Sequence, residues 1–502
     1  MRAALFHYGA LKRLFELNML EDVEVVSATS GGSLVAALLG VQGPMINGDT
    51  ERWESFEQDL LDAAANGVLG PTIWSGVAWI SLLLAALFGN LNLFLILWRG
   101  TSSTPLTLLW VCLIVVFMLA ILATAGQMHF LARNSAALQN VEGKRSLTPD
   151  FVPEADMGSE GEIADHFRQW ISKFFLMLDP SDVLWHSLNF RVFRNSVLND
   201  FRLGPKIFLC AADLNSGREL VFSEKIFGEL SSFGSPRLWR QYETEATMGD
   251  DYFKTVLGED IPVATAVAAC SAYPPFFASV PVFIDGQLVA NCIDGGVIDN
   301  HALIITRQMA KYVDEHKADA LGRTFSNTIG RVLALDASGP VQLYRRYFWL
   351  RISALPRLGD LLHNRQIQGE LEDLDDIQRL FNVSAWAISL RTRPDEGCAL
   401  KDPEIARLAA RVRTHFDSFS KVECAVLAYL GYFWANRWVE NDFAARKQES
   451  PKTRMRGIAD ILPSRFAPPA AMLVESKIVA HLRYSGIGIR SWRWLRRYIA
   501  RA

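Results

Sequence analysis

Two long apolar runs constrain this chain more than any other feature. Ile73 to Leu97 and Pro105 to Gly126 contain no charged residue. Each is long enough, as a helix, to cross about 30 Å of hydrocarbon. The short polar stretch 98–104, with Arg99, joins them. The pattern predicts a transmembrane helical hairpin over 71–130. A pair of buried core helices is the alternative, and uncharged runs of this length argue against it. Gly89, Asn90 and Asn92 interrupt the first run and predict a kink or a re-entrant stretch there. Trp74, Trp79, Trp98 and Trp110 stand near the ends, where interfacial anchors belong. Two crossings bring the chain back to the same side, so 1–70 and the residues after 130 can share one fold. Arg133, Lys144 and Arg145 follow the hairpin, against Arg99 alone in its turn. That bias places the remainder of the chain on the cytoplasmic side. The N-terminal stretch MRAALFHYGALKRL lacks the apolar core and cleavage site of a signal peptide.

Composition narrows the rest. Of the 502 residues 50% are hydrophobic and 21% charged, which suits a chain with a large core. The formal net charge of −3 gives no reason to expect a nucleic-acid partner. Six scattered cysteines without a Cys-x-x-Cys pair exclude a disulfide scaffold and a cysteine zinc site. No His-x-x-x-His or His-Glu-x-x-His pattern occurs, so neither a metal nor another cofactor is expected.

Short buried-strand patterns alternate with helical ones, which argues for an α/β layer architecture. Leu11, Leu14, Phe15 and Leu20 give 1–20 a helical face. Val23–Val26 reads as a strand and Gly32–Leu39 as a helix. Lys206–Asp213 and Glu219–Phe222 read as strands around the turn Asn215-Ser216-Gly217. Val282–Ile284 and Leu288–Ile293 flank Asp285-Gly286, a hairpin signal. Val332–Asp336 reads as a further strand. The stretch 131–165 reads as a linker, 166–340 as the continuation of the first domain, and 341–502 as mostly helical. Its end interleaves Arg490, Arg493, Arg496, Arg497 and Arg501 with Trp492, Trp494, Leu495 and Tyr498. A basic amphipathic end of this kind suits an anionic membrane surface, with an ordinary solvated face as the alternative.

Two motifs carry chemistry. The Val23–Val26 strand runs into Ser27-Ala28-Thr29-Ser30-Gly31-Gly32 and then a helix. A serine on a sharp strand-to-helix turn projects its hydroxyl, and the helix start favours a developing oxyanion. A small-residue helix cap is the plainer reading of this motif alone. Asp294-Gly295-Gly296 follows a strand and precedes Asp299-Asn300. A carboxylate there, followed by two glycines, can come close to another element and accept the Ser30 proton. A β-turn aspartate is the plainer reading.

Taken jointly, these stretches resemble the patatin-like phospholipase family. Arg2 to Leu14, Ala28–Gly32, Ala211 through Ser223, and Ala268 through Ser271-Ala272-Tyr273-Pro274-Pro275-Phe276 to Asp294–Asn300 carry the resemblance. It covers about 2–45 and 203–340. It implies a layered α/β/α domain, with 1–70 as its N-terminal part, 71–130 inserted and 166–340 as the remainder. It also implies a Ser–Asp dyad of Ser30 as nucleophile and Asp294 as base, working through an acyl-enzyme on fatty-acyl esters of membrane lipids. Gly31 and Gly32 complete the elbow, Gly295 and Gly296 adjoin the base, and Asp213 and Asp336 are structural. Two departures stand out. Ala28 replaces the family's first elbow glycine. Arg2 falls at the basic position of the family's glycine-rich oxyanion stretch, which places its three glycines upstream of Met1. The implied activity is that of a membrane-anchored phospholipase A or lysophospholipase; the alternative is a catalytically defective relative that binds lipid or a partner. His301 is read as part of the helix after Asn300, with the mouth of the site as the alternative.

Overall fold

The computed structural model describes residues 1–43, 49–68, 107–118 with a few isolated positions between 85 and 105, 180–201, 205–229 except 225, most of 261–307, 330–339, most of 369–379, 382–414, and 418–485 except 452 and 484. Most of the expected hairpin over 71–130, the linker 131–165 and the basic C-terminal end lie outside the described residues. Among the described residues no helix is long and apolar enough to cross a membrane. Residues 107–118, within the second apolar run, are helical.

The chain opens with α1 (Arg2–Glu16), β1 (Val25–Ala28), α2 (Ser30–Gln42) and α3 (Thr50–Asn66). Asp49 caps α3 by accepting from the Arg52 amide, and Gly43 ends α2 in the left-handed region. Further along the chain come α4 (Pro180–Ser187), β2 (Lys206–Asp213), β3 (Glu219–Ser223) and β4 (Ile226–Glu229). Then follow α5 (Val263–Ser271), β5 (Val280–Ile284), β6 (Gln287–Asp294) and β7 (Arg331–Asp336). The last described elements are β8 (Ser384–Ser389), α6 (Pro403–Ala409), α7 (Lys421–Ala445) and α8 (Glu475–Leu482).

Six strands form one sheet in the order β4-β3-β2-β6-β5, with β1 also on β2. Every residue of β2 is buried, as the uniformly apolar sequence from Ile207 to Ala212 requires of a strand covered on both faces. The hairpin expected around Asp285-Gly286 is present as the antiparallel β5–β6 pair. The Val-rich strand begins two residues later than its sequence pattern suggested, and α2 begins at Ser30 itself.

One strand lies in the region after 340 that the sequence reads as mostly helical. β8 lies there and pairs in parallel with β7, from Arg331↔Ser384 to Asp336↔Ser389. Its six residues include exposed Trp386, so the strand lacks the clean alternation that periodicity detects. A boundary at 340 therefore cuts between two paired strands. The same late region also covers the first helix. α1 and α7 cross so closely that a Cβ on Gly9 would collide with the Ala428 carbonyl, and one on Gly431 with the Phe6 carbonyl. Two glycines placed reciprocally let the backbones touch. α7 is capped by a Ser420/Glu423 box and buried around most of its circumference.

Candidate active site

The sheet register brings the two chemical motifs together. β1 runs parallel to β2 and ends with Ala28 opposite Leu209. β6 runs antiparallel to the same strand and ends with Asp294 opposite Ala211. Because β3 occupies the other edge of β2 through Leu209–Ala212, β1 and β6 share one edge and point their C-terminal ends at each other. They meet over Cys210. The Thr29 hydroxyl donates to the Cys210 carbonyl at 3.3 Å. A Cβ on Gly295 would collide with that same carbonyl and lie 2.7 Å from Thr29 Oγ1, so only glycine lets the turn after Asp294 come this close.

Ser30 occupies a left-handed conformation, φ 49°. Such a position is costly for a residue with a Cβ and persists only where neighbours hold it. Two hydroxyls do so: Ser33 Oγ donates to the Ser30 carbonyl at 2.5 Å, and Ser271 Oγ at 3.1 Å. The Ser30 side chain stands close enough to the Asp294 carboxylate to act on its pKa.

Asp294 is 3% exposed. Burial raises its pKa from 3.8 to about 6, and the Gly296 amide and the nearby Ser30 side chain hold it from rising further. The Gly296 N–H donates to Oδ1 at 2.9 Å. The carboxylate is thus ionised at neutral pH yet far more basic than a solvated one, which suits a general base.

The start of α2 and the first turn of α1 converge beside Ser30. A Cβ on Gly31 would lie 3.3 Å from the Ala3 Cβ and 3.9 Å from the Ala4 nitrogen. Gly32 sits against the His7 ring, 3.1 Å from Cε1 by the same measure. Burial pushes the His7 pKa down to about 4, so its neutral ring donates from Nε2 to the Leu335 carbonyl at 3.1 Å. Arg2 points elsewhere: its guanidinium donates to the carbonyls of Ala410 at 2.7 Å and Val412 at 2.9 Å. Ser30, Asp294, Gly31, Gly295 and Gly296 are therefore gathered at one point, with Gly32 just beneath, while the Arg2 side chain is committed to the C-terminal region. Among the described residues no group of His, Cys, Asp or Glu side chains is placed to hold a metal ion.

A Patatin-like phospholipase profile matches residues 1–306 of the 502. The chain belongs to the patatin-like phospholipase family. Membership carries an α/β fold and lipid acyl hydrolase chemistry in general. No curated protein matches the chain.

Around these residues lies a polar network that sequence reasoning missed. His301 faces Glu370 through Nδ1 and Asp336 through Nε2, the latter at 3.5 Å. Asp336 also accepts from the Ser338 amide at 2.8 Å, Ser389 Oγ at 2.7 Å and Arg391 Nη2 at 2.9 Å. Burial opposes the Asp336 charge, but the His301 contact and charge and Arg391 outweigh it and hold the carboxyl well below the usual range. Buried Glu219 of β3 has its pKa pushed well up by burial and by the nearby Asp299 carboxylate. Glu370 comes from a stretch without a recognisable motif, so no local signal pointed to it.

Proposed function

We propose that this protein is a membrane-anchored serine acyl hydrolase of the phospholipase A or lysophospholipase type, working through a dyad of Ser30 and Asp294. The observation that carries the reading is the meeting of the two strand ends, which sets Ser30, held in a strained elbow, beside a buried carboxylate of raised pKa. In the first step Ser30 Oγ attacks the ester carbonyl while its proton passes to Asp294. The oxyanion is received by N–H groups at the start of α2, with Gly31 the nearest, and by the first turn of α1, where helix dipoles add to the hydrogen bonds. Collapse of the tetrahedral intermediate expels the alcohol with the proton from Asp294 and leaves Ser30 acylated. Water then gives its proton to Asp294, attacks the acyl carbon, and releases the fatty acid and the serine.

Anchoring is supported by the apolar runs and by what the described part of them does. Leu108 is 62% exposed and Met118 52%, with Leu109, Val111, Val115 and Val116 exposed between them on helical residues. A run of outward-facing apolar side chains is costly in water and favourable in lipid. The first run packs against the second where Gly89 meets the Trp110 indole, 2.7 Å from Nε1 to a Cβ built there. The hairpin keeps the dyad beside its lipid substrate, with the remainder of the chain on the cytoplasmic side.

The deciding experiment is covalent labelling by a fluorophosphonate in membranes holding the full chain. Labelling that disappears with Ser30→Ala, together with release of fatty acid from phospholipid vesicles, is the expected result. A folded protein that never labels, or labels equally without the Ser30 hydroxyl, leaves a non-catalytic lipid-binding scaffold as the reading.

A further inference from the structure

We infer that His301 is a positioning residue for the base: clamped between Asp336 and Glu370, it fastens the turn from Asp294 to Ala302 and so sets where the Asp294 carboxylate stands. The inference rests on the dyad reading above.

The turn is closed upon itself. The Gly295 carbonyl accepts from the Ile298 and Asp299 amides, both at 2.9 Å. Asp299 Oδ1 accepts from the His301 amide at 3.2 Å, and Oδ2 from the Ile304 amide at 2.6 Å. Asn300 Oδ1 lies 3.3 Å from a Cβ built on Gly296, the residue whose amide holds Asp294. A turn of this kind moves as a unit, so its far end decides how its near end sits. At the far end the Asn300 amide donates to Glu370 Oε1 at 2.6 Å, and Asn300 Nδ2 to Ser338 Oγ at 2.9 Å. His301 adds the ionic part of the fastening.

The nucleophile's strand is tied to the same corner. Ser27 of β1 donates to the Ala302 carbonyl at 2.9 Å. Ala302 is buried and has φ 52°, a strained position held by its surroundings. Base and nucleophile are therefore referenced to one bracket, whose anchors Asp336, Ser338 and Glu370 all lie beyond the family-matched segment.

The His301 side chain is 1% exposed and faces carboxylates, so it cannot reach a substrate. The groups that bear on it are Asp336 of β7, Glu370, Asp299 of its own segment and His7 of α1, while Arg391 after β8 and Arg2 of α1 bear on its partner Asp336. Burial alone would drive its proton off. The Asp336 and Glu370 contacts and charges outweigh burial and raise its pKa to about 9. The clamp is ionic at neutral pH and loses its positive member as pH rises through about 9.

The test uses the full chain in membranes, with His301→Gln and Glu370→Gln. Two quantities are read: the rate constant of fluorophosphonate labelling per folded molecule from about pH 5 to about pH 10, and amide hydrogen exchange of 294–302. The expected result is labelling slower by about 10- to 100-fold near pH 8 in both variants, the cost of a small misplacement of the base. Exchange over 294–302 rises by about tenfold while that of α5 stays. The parent's fall in rate near pH 9 disappears in His301→Gln. Labelling within about twofold of the parent, or unchanged exchange over the turn, overturns the inference. Should His301→Gln not fold, Glu370→Gln decides, since it keeps the shape and one of the two acceptor oxygens while removing the charge. A parent that never labels refutes the dyad instead, and the exchange arm alone then decides the clamp.

Discussion

At Asp294 burial acts on activity and stability in opposite directions. With the pKa raised from 3.8 to about 6, the carboxylate that serves as base in the proposed dyad is lost as pH falls through about 6. Hydrolysis of a lipid ester should therefore show an acid limb with its midpoint near 6, absent from the residual rate of Asp294→Asn. That variant should fall by about 10²- to 10⁴-fold, the range for removing a general base. For stability the sign reverses. Between the two pKa values the folded state holds a proton that the unfolded chain has released, so this group's contribution is complete at the acid end and declines as pH rises through the window. Gly295 makes a second residue-scale prediction. Gly295→Ala brings a methyl into the Cys210 carbonyl and pushes the base turn off β2. Overpacking of this kind costs about 1–3 kcal/mol, read as a lowered urea midpoint, and labelling should be lost out of proportion to it. The turns that carry Ser30 and Asp294, the two members of the proposed dyad, were legible, because a small-residue strand-to-helix turn and an Asp-Gly-Gly turn each leave a local mark. Glu370 and Asp336 were not legible as partners of His301, since nothing local links positions so far apart in the chain.

Helix α1 is the clearest case of an element whose meaning depends on another. Its pattern showed a helix with one apolar face, yet Arg2, Lys12 and Arg13 are buried as well. Each cation meets a partner: Arg2 the Ala410 and Val412 carbonyls, Lys12 the Glu57 carboxylate, Arg13 the Asn436 side chain at 2.8 Å. Polar groups are affordable inside only when so satisfied, and the partners come from α3 and the C-terminal region. The α1–α7 crossing can be tested directly. Gly431→Ala should force the helices apart and cost about 1–3 kcal/mol in equilibrium unfolding. Because α1 also bears on Gly31, the same variant should slow labelling of Ser30. An unchanged urea midpoint would show that the contact is looser than the backbone distances imply.

At the scale of the whole molecule, the family-matched segment does not close its own core. α7 covers α1, and β8 pairs with β7, both from sequence after 340. A chain ended at residue 340 should expose the apolar face of α1, aggregate when expressed, and fail to label with fluorophosphonate. Removal of 71–130 should have a different effect: release from the membrane fraction with labelling retained, because the segment lies between α3 and α4 rather than within the sheet. The sequence by itself determined the alternation of strands and helices, the apolar runs, and the two chemical motifs. These are set by local periodicity, turn chemistry and residue type, which act over a few positions. Only the tertiary structure decided that β1 and β6 end face to face over Cys210, that α7 seals α1, and that His301 is held between Asp336 and Glu370. Those arrangements follow from strand register and from the need to pair buried charges, and neither is encoded at any one place along the chain.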